Sequence, residues 1–164
     1  MQEAAEAYCS LIEDSEAGDE VTFASQLLIA LSDAVAAAVR LPDVEPTDAE
    51  SPVAITPEEW RACYQRIGQL TGPWAGYYWE AFYPFALQEA DASVGLGDLI
   101  DDLTDIWCDL KDGLLALRAG LSLNDVQWQW RQDYWGHWGR HAAGASRALP
   151  LHLSDTGHPS PRET

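Results

Sequence analysis

Apolar positions recur at helical spacing almost from the first residue of this chain. Ala4, Ala7, Tyr8, Leu11 and Ile12 form one stripe over residues 3–17, Glu3, Glu6 and Glu13 stand outside it, and Gly18-Asp19 punctuates the run. A second stripe, from Val21 and Phe23 through Leu27, Leu28, Leu31 and Val35 to Val39, predicts a helix reaching about Arg40, where Leu41-Pro42 stops it. Its alanine-rich centre favours helix and lets a neighbour approach closely. Residues 42–56 hold three prolines and four acids and read as a loop. Thr56-Pro57-Glu58-Glu59 then opens a third helix. Thr56 serves as cap, Pro57 fits the first turn, and Glu59 completes a capping box ahead of Trp60, Cys63, Tyr64, Ile67 and Leu70.

Residues 73–95 are dense in aromatics and interrupted by Pro84, which predicts an irregular connection with a helical turn or two. Gly95 to Ala119 reads as a long helix stopped by Gly120, and Ser122 opens a last helix running to about Leu149. No strand alternation and no internal repeat is evident. The expected fold is all-α: a compact bundle of about five helices ending in a long-helix hairpin. It forms one domain over residues 1–149, with a flexible tail at 150–164.

Charge narrows the partners. The chain carries 27 acids against 9 bases, a net charge of −18, and residues 1–50 alone hold 12 acids and one base, Arg40. Such a chain repels nucleic acid and anionic membranes, whose binding depends on Lys and Arg neutralising phosphates. A protein partner with a basic surface fits better. No run approaches the ~20 apolar residues of a membrane span, and the N-terminus lacks a basic region before an apolar stretch, so a cytoplasmic location is expected. Cys9, Cys63 and Cys108 lack CxxC spacing and sit at helical apolar positions, as buried thiols do.

The candidate chemistry lies in the last two helices. At 100° per residue, Asp98, Asp101, Asp102, Asp105, Asp109 and Asp112 fall within an arc of about 100°, opposite Leu99, Leu103, Ile106, Leu110, Leu114 and Leu117. Aspartate is a poor interior helix former, and like charges at i,i+4 repel, so this stripe costs local stability. Three readings answer that cost: a solvated face, a network to Arg131, Arg140 or the histidines, or a divalent-cation site. Asp101-Asp102-Leu103-Thr104-Asp105 matches the DDxxD pattern of magnesium–diphosphate enzymes in letters, but no second acidic cluster or convergent basic group of matching strength accompanies it.

His137 and His141 stand four apart on one helix face. Trp138, Gly139 and Arg140 lie between them, so no general-base glutamate follows His137 and the HExxH reading fails. With Asp101, Asp102 or Asp105 the two imidazoles form a candidate Zn²⁺ or Fe²⁺ set; otherwise they lock the helix pair by hydrogen bonding to carboxylates or carbonyls. Trp79, Trp107, Trp130, Tyr134 and Trp138 are core or interface residues by density and candidate pocket walls second. Gly136 and Gly139 inside the last helix imply close packing or a kink. Glu80 joins the candidate polar set.

Four segments carry a resemblance: YCSLIED at 8–14, GYYWEAFYP at 76–84, DDLTDIWCDLKDGLLALRAG at 101–120 and WQWRQDYWGHWGRHAAGASRAL at 128–149. Through them the chain resembles a family of small bacterial proteins catalogued as domain of unknown function 5063. That resemblance implies a compact helical domain and brings no activity, cofactor or catalytic set. It implies a signature of Trp79, Glu80, Asp102, Asp105, Asp109, Lys111, Arg131, His137, Trp138, Arg140 and His141. The functional expectation is a non-enzymatic interaction or accessory domain with no cofactor. The alternatives are a divalent-metal-dependent hydrolase of a phosphorylated or nucleotide substrate and a small-ligand domain. Monomer and homodimer are equally compatible with the pattern.

Overall fold

A computed structural model describes residues 1–47, 49, 51, 53–81 and 94–156. Its helices are α1 (Gln2–Asp14), α2 (Glu20–Val39), α3 (Pro57–Thr71), α4 (Leu99–Arg118), α5 (Leu123–Asp133) and α6 (Gly139–Thr156). A π turn, Tyr134–Trp138, joins α5 to α6 without a break in the rod. Counted as one long helix, that rod makes five, and the fold is the all-α bundle with a C-terminal hairpin of α4 against α5–α6 that the periodicity predicts.

The caps follow the expected chemistry. Asp19 accepts from the amides of Val21 and Thr22, Thr56 and Glu59 complete their capping box, and Ser122 accepts from Asp125 N. α4 is the central helix, packed against α1, α3, α5 and α6. Its Leu99, Leu103, Ile106, Leu110 and Leu114 are buried, each such side chain contributing about 2 kcal/mol. Tyr8 of α1 lies fully buried against it and donates to Leu103 O at 3.1 Å.

Three expectations are corrected. Tyr77–Ala81 (β1) and Val94–Asp98 (β2) form an antiparallel hairpin, where a connection and a helix start were expected. The aromatics of β1 alternate. Tyr77 and Trp79 face outward and Tyr78 faces the bundle, which suits a pleated strand better than a helix. α4 therefore begins at Leu99, capped by Asp98 rather than led in by Gly95. The last helix does not stop at Leu149 but continues through Pro150 to Thr156, with Leu153 buried and His152 stacked on Trp74 at 4.0 Å. Finally, α2 is long and apolar enough for a membrane span by composition, with a mean hydropathy of 1.6. Its Phe23, Ala24, Leu27, Leu31, Ala34 and Ala38 are buried where it packs against α1 and α6, while Ile29 and Val39 stand exposed on its other side. The expected interruption at Pro84 and the tail residues 157–164 lie outside the described residues.

The thiols are structural in their surroundings. Burial pushes Cys63 and Cys108 up to about 12 and Cys9 higher still, so all three stay protonated and unreactive at neutral pH.

Candidate metal centre

The leucine face of α4 is held by the core, so its opposite face is aimed between α3 and the C-terminal rod. The π turn decides what meets it. A π turn carries an extra residue per turn and re-aims the side chains on it. Gly139 permits this one, because a Cβ there would land on the carbonyl oxygen of Tyr134. The turn brings His137 and His141 over Asp102, Asp105 and Asp109.

The contacts are specific. His137 Nδ1 lies 2.6 Å from Asp109 Oδ2, and His141 Nδ1 lies 2.8 Å from Asp102 Oδ1. Each imidazole thus has its Nδ1 side committed to a carboxylate, which in the neutral ring favours the proton on Nδ1 and a lone pair on Nε2. Both Nε2 atoms face Asp105. Its Oδ2 is 3.5 Å from His141 Nε2 and 3.9 Å from His137 Nε2, while its Oδ1 accepts from Trp60 Nε1 at 2.8 Å. His141 Nε2 is buried and has no hydrogen-bond partner. Asp102, 5% exposed, accepts on Oδ2 from the Tyr78 hydroxyl at 2.5 Å.

Asp105, His137 and His141 each offer one ligand atom, all within 4.8 Å of one another. A tetrahedral ion with bonds near 2.1 Å separates its ligands by ~3.4 Å, close to the two Nε2–Oδ2 distances. Two of the three spacings are thus near those of such an ion, and the third lies within 4.8 Å, so the donor set suits the ion after a small inward movement. Asp105 and His141 are four-fifths or more buried, whereas the His137 side chain is 42% exposed, so the centre opens to solvent on that side.

The electrostatics favour a cation. Burial raises the Asp109 carboxyl above its ordinary range, against the lowering effect of His137. Burial and then Asp105 and Asp98 raise Asp101. Burial and Asp102 raise Glu80. The hydrogen bond to Asp102 raises His141. Burial is the first cause for all three carboxyls and neighbouring carboxylates add to it, so a cation here would offset both.

Other expected members stand elsewhere. Asp98 caps α4 and accepts from Tyr64 Oη at 3.0 Å. Asp112 accepts from Ile55 N at 2.6 Å. Arg131 reaches away, to Leu41 O at 3.3 Å and Asp43 at 3.5 Å, and Arg140 is exposed. Of the expected network to Arg131, Arg140 or the histidines, the histidine contacts are the ones formed, joined by tryptophan and tyrosine donors, while Arg131 is drawn to Leu41 O and Asp43. The DDxxD reading fails too. Asp102 is turned to His141 and Tyr78, and Asp101 only flanks the cluster.

The aromatics line no common pocket among the described residues. Trp79 is 67% exposed. Trp107 donates to Glu13, which also holds Lys111 at 2.5 Å. Trp130 fills the space over Gly113, and Trp138 is fully buried with Tyr134 edge-on against it. Trp60 and Tyr78 are the site residues that sequence reasoning missed. Both act across more than twenty residues of chain, beyond the reach of local periodicity.

Fold and site together define a helical bundle carrying a partly buried His₂–Asp cluster on facing helices. The chain belongs to the family described as domain of unknown function DUF5063, whose profile matches residues 1–155. Among solved structures it is similar to protein BF1032 from Bacteroides fragilis, with 22% identity, a TM-score of 0.73, and coverage of 92% of this chain and 90% of that one. That likeness shows the fold. No curated protein matches the chain.

Proposed function

We propose that this protein is a domain that binds one divalent transition-metal ion through His137 Nε2, His141 Nε2 and Asp105 Oδ2. The supporting observation is the committed Nδ1 side of both imidazoles, held by Asp109 and Asp102 so that both free nitrogens converge on a third carboxylate. Outer-shell carboxylates of this kind fix tautomer and ring orientation at histidine metal sites. Two imidazoles and one carboxylate select Zn²⁺, Fe²⁺ or a related ion over Mg²⁺ or Ca²⁺. Three protein ligands with an open side are the pattern of reactive rather than purely structural centres, and a bound water activated there is the chemistry on offer.

Metal analysis of the protein as isolated, followed by Zn²⁺ and Co²⁺ titration, tests the proposal. We expect one ion per chain, a rise in melting temperature on loading, and loss of both in Asp105→Ala and His141→Ala. Absence of binding and of any thermal shift in the wild-type protein overturns it.

A second reading, a docking role, is supported by the outward face of the hairpin. Tyr77, Trp79, Val94 and Leu96 are 74%, 67%, 62% and 56% exposed. Side chains of this size left in water mark interaction surfaces, and the net charge of −18 suits a basic partner. Light scattering over a concentration series separates the two occupants: self-association of the wild type that Trp79→Ser with Leu96→Ser abolishes assigns this face to a second copy and overturns the basic-partner reading. Equal masses for both proteins at every concentration exclude a homodimer there.

A further inference from the structure

We infer that Tyr78 is a positioning residue of this centre: its phenol, wedged between two glycines onto Asp102, holds His141 in the tautomer that turns Nε2 toward Asp105. The inference rests on the metal-binding reading for its consequence, but its first readout needs no metal.

The fold makes room for this one side chain from two directions. Gly97, the cross-strand partner of Tyr78 in the hairpin, has no Cβ, and one built there would lie 2.7 Å from the phenolic oxygen. Gly144 on α6 is bare for the same reason. A Cβ at 144 would land on the hydroxyl and sit 3.1 Å from Cζ. Glycine inside a helix is unfavourable relative to alanine, and its presence here matches the space taken by the phenol. The hydroxyl sits 2.5 Å from Asp102 Oδ2, and the other carboxylate oxygen faces His141 Nδ1 at 2.8 Å.

His141 has a choice of acceptor. Asp102 stands at one ring nitrogen and Asp105 at the other, so its proton goes to whichever carboxylate is better placed. Trp60 pins Asp105 and Tyr78 pins Asp102. A carboxylate terminus rotates in a broad, roughly two-fold well. Without the phenol, buried Asp102 has only His141 to orient it, while Asp105 keeps its anchor. Hydrogen-bond strength falls steeply with misalignment, so the balance moves toward Asp105, and a proton on Nε2 blocks the ligand position.

The test is Tyr78→Phe, which removes one oxygen and keeps the ring. In metal-free protein held at a pH alkaline enough to leave the imidazoles neutral, long-range ¹H–¹⁵N correlation spectra should show His141 with its proton on Nδ1 in wild type. A measurable Nε2–H fraction should appear in the variant. Zn²⁺ affinity, measured with a chromophoric chelator, should fall about tenfold, the lower end of outer-shell effects, and the visible spectrum of the Co²⁺ form should change. Gly97→Ala, which displaces the phenol without deleting it, should reproduce the tautomer shift and serves if Tyr78→Phe folds poorly. An unchanged tautomer in both variants overturns the inference. A tautomer shift in a protein that binds no metal sustains the positioning role and overturns the proposed function instead.

Discussion

Gly144→Ala gives the sharpest test of the packing, because two physical effects predict opposite signs. Gly144 lies inside α6, and an unobstructed glycine-to-alanine change in a helix interior stabilises by about 0.5–1 kcal/mol. Here the new methyl would land on the Tyr78 hydroxyl and lie 3.3 Å from Asp102 Oδ2. Gly97 crowds the same end of the ring, next to Cζ, Cε1 and the hydroxyl, which limits the room for the phenol to step aside. Tyr78 must therefore shift and release Asp102. Losing a hydrogen bond to a charged group costs about 1.5–3 kcal/mol, and displacing a packed ring costs about 1–3 kcal/mol more. Less the helix gain, the net is a destabilisation of about 1.5–5.5 kcal/mol. Thermal unfolding should show a fall in melting temperature of roughly 3–22 °C at this chain length. In a Tyr78→Ala background the obstacle is gone, and the same substitution should become neutral or stabilising, a coupling of at least about 1.5 kcal/mol. A melting temperature that holds or rises in Gly144→Ala alone would falsify the packing assigned to Tyr78.

Three further outcomes follow from the charges. Burial, then Asp109 and Asp112, push the Asp133 carboxyl up to about 7. A folded value above the unfolded ~3.9 means stability declines as pH rises from about 4 through 7. Asp133→Asn should therefore stabilise the protein at pH 8, by about 1–4 kcal/mol in chemical denaturation, and lose that advantage near pH 4. His141 shifts the same way for a different cause, its hydrogen bond to Asp102. That contribution is complete below about pH 6.5 and disappears as pH rises through the folded value. Asp102→Asn should abolish the acid-side gain in melting temperature of chelator-treated protein, and a gain that persists points to another group. Arg131→Ala, which loses only contacts to Leu41 O and the exposed Asp43, should cost under about 1 kcal/mol and leave Zn²⁺ affinity at the wild-type value.

Local patterns were legible where local forces decide. The capping box at Thr56, the stop at Leu41-Pro42 and the leucine stripe of α4 all lie where spacing placed them, because capping and amphipathicity act within a turn or two. The hairpin was not legible. Its two strands pair across a dozen intervening residues, and Gly95-Leu96-Gly97 has no strand signature until Tyr78 occupies the space over Gly97. Nor was the end of the last helix, because Pro150 reads as a stop while Leu153 and His152 find partners that hold the helix through it.

The aspartate stripe separates the two kinds of knowledge. Sequence alone determined that six aspartates share one face of a helix whose other face is core, and that two histidines stand one turn apart on a neighbour. Those are consequences of 3.6 residues per turn. Only the tertiary structure decided that the stripe divides its labour. Asp98 caps, Asp112 holds a loop, Asp102 and Asp109 orient imidazoles, and Asp105 alone is left facing both of them. The physical reason is the π turn. One extra residue in the rod between Tyr134 and Trp138 rotates His137 and His141 relative to the residues before it, and no periodicity computed from a regular helix contains that rotation.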